Sequence, residues 1–368
     1  MKLNRRKFLS TSSSLIVGGS ILGCTNPKPA AKAVQKIQNK SIGVALLGLG
    51  NYSENLLAPA LQATKHCHLA GIVTGTPSKI PTWQSKYGIS DKNVYSYDNL
   101  HQIANNDEID VVYIVVPTGL HSKYAIIAAN AGKHVWCEKP MAMNTVQCQE
   151  IIDACDKNKV KLSIGYRMLH EPNTQKLISN INSMPFGGIE AITANAGYRG
   201  GKPSGWRAEK AMGGGAIYDM GVYAINGIRY ATNQYPISVL SAEHVIDRPD
   251  YFEEVDETTI FELEFESGIK VNGLGSVGRN INGLKIECEN GWYGTTPMQS
   301  YNGVQYEDST GFKMAAIPGM QQSLQMDNDA LAIINDTPVM APGAEGKKDV
   351  HIIEAIFKAA ATGERVVL

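Results

Sequence analysis

Three side chains, one lysine and a pair some eighty residues further on, have the types that a hydroxyl-oxidising site needs. Lys139 follows an apolar run, Val135-Trp136-Cys137, within Glu138-Lys139-Pro140. Charge at the end of an apolar strand is unusual, and in an open α/β sheet ligands bind in the crevice beyond the strands' carboxyl ends. Pro140 fixes its own φ, holds Lys139 extended and stops the strand. Lys139 therefore reads as a lysine pointing into a site, against the alternative of a solvated surface loop. Asp219 and Tyr223 stand i, i+4 on a predicted helix and share a face. Gly213-Gly214-Gly215 just before them allows close approach of backbone or ligand. If Lys139 meets that face, an ammonium, a phenol and a carboxylate come together. Oxidising C–OH to C=O needs a base for the hydroxyl proton while hydride leaves to an acceptor. A free phenol titrates at about 10, so a nearby cation must assist it at neutral pH. Spacing alone leaves open an ordinary helix with an exposed Asp and a half-buried Tyr.

The elements that must position these groups begin at Ser41. Ile42–Gly48, IGVALLG, is a continuous apolar run, as in a strand buried on both faces. It ends in Gly48-Leu49-Gly50-Asn51-Tyr52-Ser53, followed by a predicted helix, ENLLAPALQAT. Strand, glycine turn and helix form a dinucleotide fingerprint in which Ser53 replaces the third glycine. A pyrophosphate would sit on the helix N-terminus. The next predicted strand, 69–75, ends in Thr74-Gly75-Thr76-Pro77-Ser78-Lys79. An acid there would select the ribose 2′-hydroxyl of NAD; hydroxyls and a lysine favour the 2′-phosphate of NADP. Further strands are predicted at 111–116, leading into Pro117-Thr118, at 135–137 and at 160–166, with helices at 119–131 and 145–158. This alternation predicts a doubly wound parallel sheet over 41–166. His121, at a strand's carboxyl end, is either a ligand of substrate or nicotinamide or a polar residue at a helix start.

The second half, 167–368, changes character. A strand is predicted over 188–197, and Gly-rich sequence turns helical across 206–230. Long alternating runs follow, such as Ile260–Glu266, IFELEFE. They predict a large open, mostly antiparallel sheet with helices on one side, an α+β arrangement whose free face suits a second copy. Helices over 320–335 and 346–362 close the chain.

The first 24 residues carry four Lys/Arg and no acid, with Arg5-Arg6 ahead of a short apolar, Ser/Gly-rich run. This predicts a twin-arginine signal and export to the periplasm or the outer side of a membrane. The apolar run is too short and too polar for a permanent span. Ile21-Leu22-Gly23-Cys24 predicts a lipidation box, the only expected membrane contact. Residues 25–40 read as a Pro/Ala/Lys-rich tether or arm. Of 34 Lys/Arg, removing those four leaves 30 against 35 Asp/Glu, a balance of −5 that excludes a nucleic-acid binder. The five other cysteines show neither CxxC spacing nor a ligand-like cluster with His, so no metal is expected and all read as small buried hydrophobes.

The stretches GLGNYS, VTGTPSK, YSYDNL, VVPTGLHSKYAI, AGKHVWCEKPMA, LSIGYRMLHEP, WRAEKAMGGGAIYDMGVYAINGIRY and PGAEGKKDVHIIEAIFKAA carry a resemblance over about residues 41–365. The chain resembles the Gfo/Idh/MocA family of oxidoreductases, and within it the glucose–fructose oxidoreductase type. The resemblance implies that Lys139 orients the substrate hydroxyl, that Tyr223 gives and takes the proton and that Asp219 binds a sugar hydroxyl. It implies a pyrophosphate held by Gly48, Gly50, Asn51, Tyr52 and Ser53. Thr74 and Lys79 would take the 2′-phosphate, with Tyr97 nearby. Pro117, Thr118, His121, Glu138 and Arg167 would flank the nicotinamide, and Trp206 and Arg207 would reach the cofactor from the second domain. Thr74 stands where Ser is usual, Thr118 where Asn is usual, and Met168-Leu169-His170 follows GYR. The implied activity is NADP-dependent oxidation of an aldose or related polyol by a homodimer or homotetramer, with the hydride passed on to a second sugar. An ordinary sugar dehydrogenase with exchangeable NAD(P), and a catalytically idle, lipid-anchored sugar binder, are the alternatives.

Overall fold

A computed structural model describes residues 41–368. The signal, Cys24 and arm readings lie outside these residues. The first sheet has six parallel strands: β1 Ile42–Leu47, β2 Cys67–Val73, β3 Val94–Tyr95, β4 Val111–Ile114, β5 His134–Cys137 and β6 Leu162–Ile164. Their spatial order is β3-β2-β1-β4-β5-β6, the doubly wound arrangement that strand–helix alternation predicts. All six residues of β1 are buried, which accounts for its unbroken apolar run. Four helices belong to this half: α1 Ala58–Leu61, α2 Ile80–Tyr87, α3 His121–Asn130 and α4 Thr145–Asn158. The predicted helix after the glycine turn opens as a π turn, Ser53–Leu57, closed by the Ala58 N–H on Ser53 O. Pro59 has no N–H to continue the usual ladder there. β6 is an edge strand: the Gly165 N–H pairs it with Cys137 O, while the outward Ile164 N–H donates to Ala341 O.

The second sheet has nine strands: β7 Ile189–Gly197, β8 Ser238–Val245, β9 Thr258–Glu264, β10 Lys270–Ser276, β11 Asn282–Cys288, β12 Gly291–Thr295, β13 Tyr306–Asp308, β14 Lys313–Met314 and β15 Val366–Val367. Every neighbouring pair is antiparallel except β7 with β10. In β9 Phe261 and Leu263 are buried while Glu262 and Glu264 are half-exposed, as their alternation requires. Helices α5 Pro172–Ser183, α6 Val222–Thr232 and α8 Gly343–Thr362 pack against this sheet.

One further helix, α7 Gln321–Ile334, crosses back. Its Met326 and Ala330 join Leu46, Ile72, Tyr113 and Trp136 in the core of the first sheet. Asp327 accepts the N–H groups of Lys65 and His66, fixing α7 at the entry to β2. A helix from late in the chain therefore covers one face of the first sheet. Cys67, Cys137, Cys148, Cys155 and Cys288 are free and buried, the role their spacing predicts.

Candidate active site

Lys139 stands where β5 ends, and its neighbours fix its direction. The Glu138 carboxylate accepts the Tyr113 hydroxyl at 2.7 Å and the Lys139 N–H at 3.3 Å. Burial pushes the Glu138 carboxyl upward, opposed by the Tyr113 hydrogen bond and the Lys139 charge. The Lys139 ammonium, 11% exposed, donates to Asp219 O at 2.8 Å and lies 4.3 Å from the centre of the Tyr223 ring. It is 3.9 Å from Asp219 Oδ1. Lys139 and the pair Asp219 and Tyr223, from two separate segments, thus share one site.

The helix carrying Asp219 and Tyr223 is seated from below. Gly215 has φ +101°, and a Cβ there would come within 2.1 Å of Asp256 Oδ1. Only a bare backbone fits both constraints. Asp256 Oδ2 accepts the Ile217 N–H and the Thr259 hydroxyl, and Asp256 O accepts the Ala216 N–H. Otherwise unmatched donors at the helix start are thereby satisfied. Asp219 lies in the π turn Ile217–Gly221 and Tyr223 in the first turn of α6. Farther along α6, Arg229 pairs with Glu345 and with fully buried Asp349 of α8, and Asn226 donates to Asp349. Removing one partner of such a buried pair costs about 3–5 kcal/mol, so α6 is held firmly.

The nucleotide side forms at the other strand ends. Gly48 has φ +97°, and a Cβ there would meet Val115 O at 2.5 Å. Ser53, fully buried, donates to Gly48 O at 2.5 Å and fills the third-glycine place without opening the turn. A Cβ on Gly50 would meet nothing within 4 Å, so this backbone faces open space. Asn51 is exposed and accepts from Asn55. The Lys79 ammonium crosses from the end of β2 to Leu49 O at 2.5 Å, while Thr74 Oγ1 accepts the Thr76 N–H. Tyr97 packs on Gly75 and lies 5.0 Å from the Tyr124 ring; burial raises its phenol. A glycine turn, an open backbone cradle and a lysine beside it fit a dinucleotide phosphate.

Pro117 and buried Thr118 lead into α3, with Thr118 against Gly213 of the glycine run. His121 is 1% exposed, and its two ring nitrogens lie 2.9 Å from Pro140 O and 2.8 Å from Val116 O. It ties the loop after β4 to the turn carrying Lys139, and burial lowers its pKa. Arg167, also 1% exposed, donates to Gln299 O, Ser300 O and Gln321. Its guanidinium lies 5.2 Å from the Tyr223 ring and 4.6 Å from the Tyr301 ring. Tyr52 turns its ring toward Tyr301, 5.9 Å away, so its side chain faces the reacting groups. Trp206 stacks under Arg207, whose Nε is 3.7 Å from Asp219 Oδ2. The structure thus groups Arg207 with Asp219.

Sequence reasoning did not find Tyr198, Tyr301, Tyr113 or Asp256. The Tyr198 hydroxyl donates to Asp219 Oδ2 at 3.2 Å, and burial pushes that phenol up to about 12. A cleft of about 210 Å³ opens beside Asp219, walled by Tyr198, Lys202, Arg207 and Phe252. Its volume is below the roughly 300–1,000 Å³ of drug-sized pockets and suits a small polar ligand. The signal available for Tyr198 was its place at the end of β7, just before Arg199-Gly200-Gly201. Nothing local marks Tyr301. Among the described residues no group of three or more His, Cys, Asp or Glu is placed to hold a metal.

A doubly wound sheet with a phosphate cradle and a lysine at a strand end, facing a second half of the chain that brings a phenol to that lysine, defines a dinucleotide-dependent oxidoreductase. Residues 42–166 match the oxidoreductase family with an NAD-binding Rossmann fold, and residues 174–293 match the GFO/IDH/MocA C-terminal domain. The chain belongs to the Gfo/Idh/MocA family of NAD(P)-dependent oxidoreductases acting on alcohol groups. The crystal structure of aldose–aldose oxidoreductase from Caulobacter crescentus, complexed with glycerol, is 34% identical. It covers 89% of this chain and 100% of that one, with a TM-score of 0.85. The NADP-dependent D-xylose 1-dehydrogenase of Haloarcula marismortui is 23% identical over 90% of this chain and 94% of its own length. The D-glucoside 3-dehydrogenase of Escherichia coli is 25% identical over 88% and 97%.

Proposed function

We propose that the protein oxidises the C1 hydroxyl of an aldose with NADP, Tyr223 acting as the proton acceptor and Lys139 orienting the hydroxyl. The observation that carries this is the Lys139 ammonium, 4.3 Å from the Tyr223 ring and bonded to Asp219 O. With one proton on Asp219 O, the ammonium keeps two for a substrate oxygen. The Tyr223 oxygen, entering as the phenolate, takes the hydroxyl proton and leaves as the neutral phenol while the C1–H bond breaks. The ammonium beside it stabilises the phenolate before the transfer and the negative charge that then builds on the substrate oxygen. Asp219 accepts a neighbouring sugar hydroxyl, and Tyr198 and Arg207 hold its carboxylate toward the cleft. The bound nicotinamide supplies the hydride acceptor. The backbone of Gly48, Gly50, Asn51, Tyr52 and Ser53 would cradle its pyrophosphate, with Thr74 and Lys79 at the 2′-phosphate and Tyr97 beside them. Pro117, Thr118, His121, Glu138 and Arg167 would shape the nicotinamide side, and Trp206 and Arg207 would close it from above. The aldose–aldose activity named for the Caulobacter protein and the NADP-linked xylose oxidation named for the Haloarcula protein support this substrate class.

Return of the hydride to a second sugar belongs to the same proposal. So do export by the twin-arginine route, with Cys24 as a lipid anchor, and assembly through the open sheet face. The test is purified protein with NADP and D-xylose or D-glucose, followed in the near-ultraviolet band of reduced nicotinamide. Growth of that band on adding sugar, then its loss on adding a second aldose, is the expected result. No change with any aldose while NADP binds would overturn the reading.

A further inference from the structure

The helix α7 buries four polar side chains along one stripe. Gln321, Gln322, Gln325 and Asp329 are 6, 1, 1 and 1% exposed. Their spacing of i, i+1, i+4 and i+8 puts them on one face. A helix face packed on a parallel sheet is ordinarily apolar, and Met326 and Ala330 supply that part of the contact. The polar stripe does something else: its three glutamines reach Arg167, Tyr52 and Tyr113, and Asp329 ties the helix to β6. Gln321 accepts from Arg167, Gln322 Nε2 lies 3.4 Å from the Tyr52 hydroxyl, and Asp329 accepts the Ser163 hydroxyl at 2.8 Å.

Gln325 makes the most directed of these contacts. Its amide donates to the Tyr113 hydroxyl at 3.1 Å. Tyr113 has one proton, which goes to Glu138 Oε1 at 2.7 Å. The other carboxylate oxygen accepts the Lys139 N–H at 3.3 Å. Three hydrogen bonds in series therefore run from α7 to the backbone of Lys139, all in one donor-to-acceptor sense as far as Glu138. All three side chains are buried, where such bonds strengthen one another. The Tyr113 ring is fixed independently by its edge-on contact with Trp136 at 5.7 Å.

We propose that Gln325 is a positioning residue for the reaction: through Tyr113 and Glu138 it holds the Lys139 backbone, and so its ammonium, against Tyr223. This rests on the reading of Lys139 and Tyr223 as the reacting pair. The series is broken at two places by Gln325→Met and Tyr113→Phe, each keeping the shape of the side chain. Both variants and their combination are measured for melting temperature, NADP affinity by tryptophan fluorescence, and kcat and KM for the sugar. Acetylation of Lys139 by acetic anhydride is measured by mass spectrometry. Each single variant should lose roughly 10- to 100-fold in kcat, as misplacement of a reacting group does, with sugar KM and NADP affinity close to wild type. Lys139 should be acetylated severalfold faster in each. The double variant should be no worse than either single one, because both cut the same series. Wild-type kcat and acetylation in the single variants, or losses that multiply in the double variant and follow the melting temperature, would overturn the proposal. Absence of sugar turnover in the wild type would count against the proposed function instead, and Lys139 acetylation would still decide this proposal.

Discussion

The two walls of the site are built differently. The nucleotide wall comes from short contiguous motifs at the ends of adjacent parallel strands: the turn after β1, Lys79 beyond β2, Thr118 beyond β4 and Glu138-Lys139 beyond β5. Parallel strands put those ends side by side, so each motif's position in the chain fixes its position in space. The substrate wall gathers Tyr198 from the end of β7, Arg207 from a 3-10 turn, Asp219 from a π turn and Tyr301 from the loop after β12. No repeat relates those positions. On the proposed function, the first wall serves a ligand common to many enzymes, and the second carries whatever is particular to this one. Substitutions in the first wall should abolish nucleotide use or chemistry whatever the sugar, whereas those in the second should change which sugar is used.

The largest effect is expected at the junction of the walls. Lys139→Ala should lower kcat by roughly 10²–10⁴-fold while the protein still folds and binds NADP. Near-normal turnover would place the chemistry elsewhere. On the nucleotide wall, Gly50→Ala and Gly48→Ala should part company. Gly50→Ala puts a methyl into open space, so melting should hold while NADP affinity falls. Gly48→Ala drives a methyl against Val115 O at a left-handed φ, so stability itself should fall. Equal behaviour in a melting curve with and without NADP would mean that the open backbone at Gly50 is not the cradle. Lys79→Ala should weaken NADP by about 10–100-fold, the value of a charge-assisted contact, and spare NAD. On the substrate wall, Tyr198→Phe frees one oxygen of Asp219 and should raise the KM of some aldoses more than others. A uniform loss of kcat across all sugars would blur the distinction between the walls.

The smallest effect lies beneath both. Burial pushes the Asp329 carboxyl from 3.8 up to about 7, opposed by its hydrogen bond to Ser163 and by the nearby Gln325 amide. Between those values the folded chain keeps a proton that the unfolded chain has released. The group's contribution to stability therefore falls as pH rises through that window. Asp329→Asn keeps an acceptor for Ser163 and removes the titration. Its melting temperature should gain on wild type between about pH 4 and pH 8, and parallel curves over that range would contradict the assignment.

Local pattern made the first sheet legible. The apolar runs of β1, β4 and β5, the glycine turn and the proline after Lys139 each declare their structure within a few residues. The pair Asp219 and Tyr223 was visible as a helix face, but that Lys139 meets it depends on the two domains packing. Tyr301 and Asp256 lie in loops whose composition says nothing of what they touch. Tyr113 was hidden inside a strand read only as apolar, and α7 was seen as a helix without its destination. Gln321, Gln322 and Gln325 look like ordinary surface residues until α7 is laid across the first sheet. The π turn before Pro59 follows from backbone hydrogen bonding, which side-chain periodicity does not report.

The central claim is that Tyr223 moves the proton for a hydride transfer that its neighbours only arrange. The direct measurement is sugar-dependent reduction of NADP by wild type and by Tyr223→Phe, with NADP affinity and melting temperature taken on the same samples. The variant should bind NADP as tightly as wild type and melt at nearly the same temperature, yet turn over roughly 10²–10⁴-fold more slowly. A Tyr223→Phe protein that reduces NADP at the wild-type rate would contradict the account.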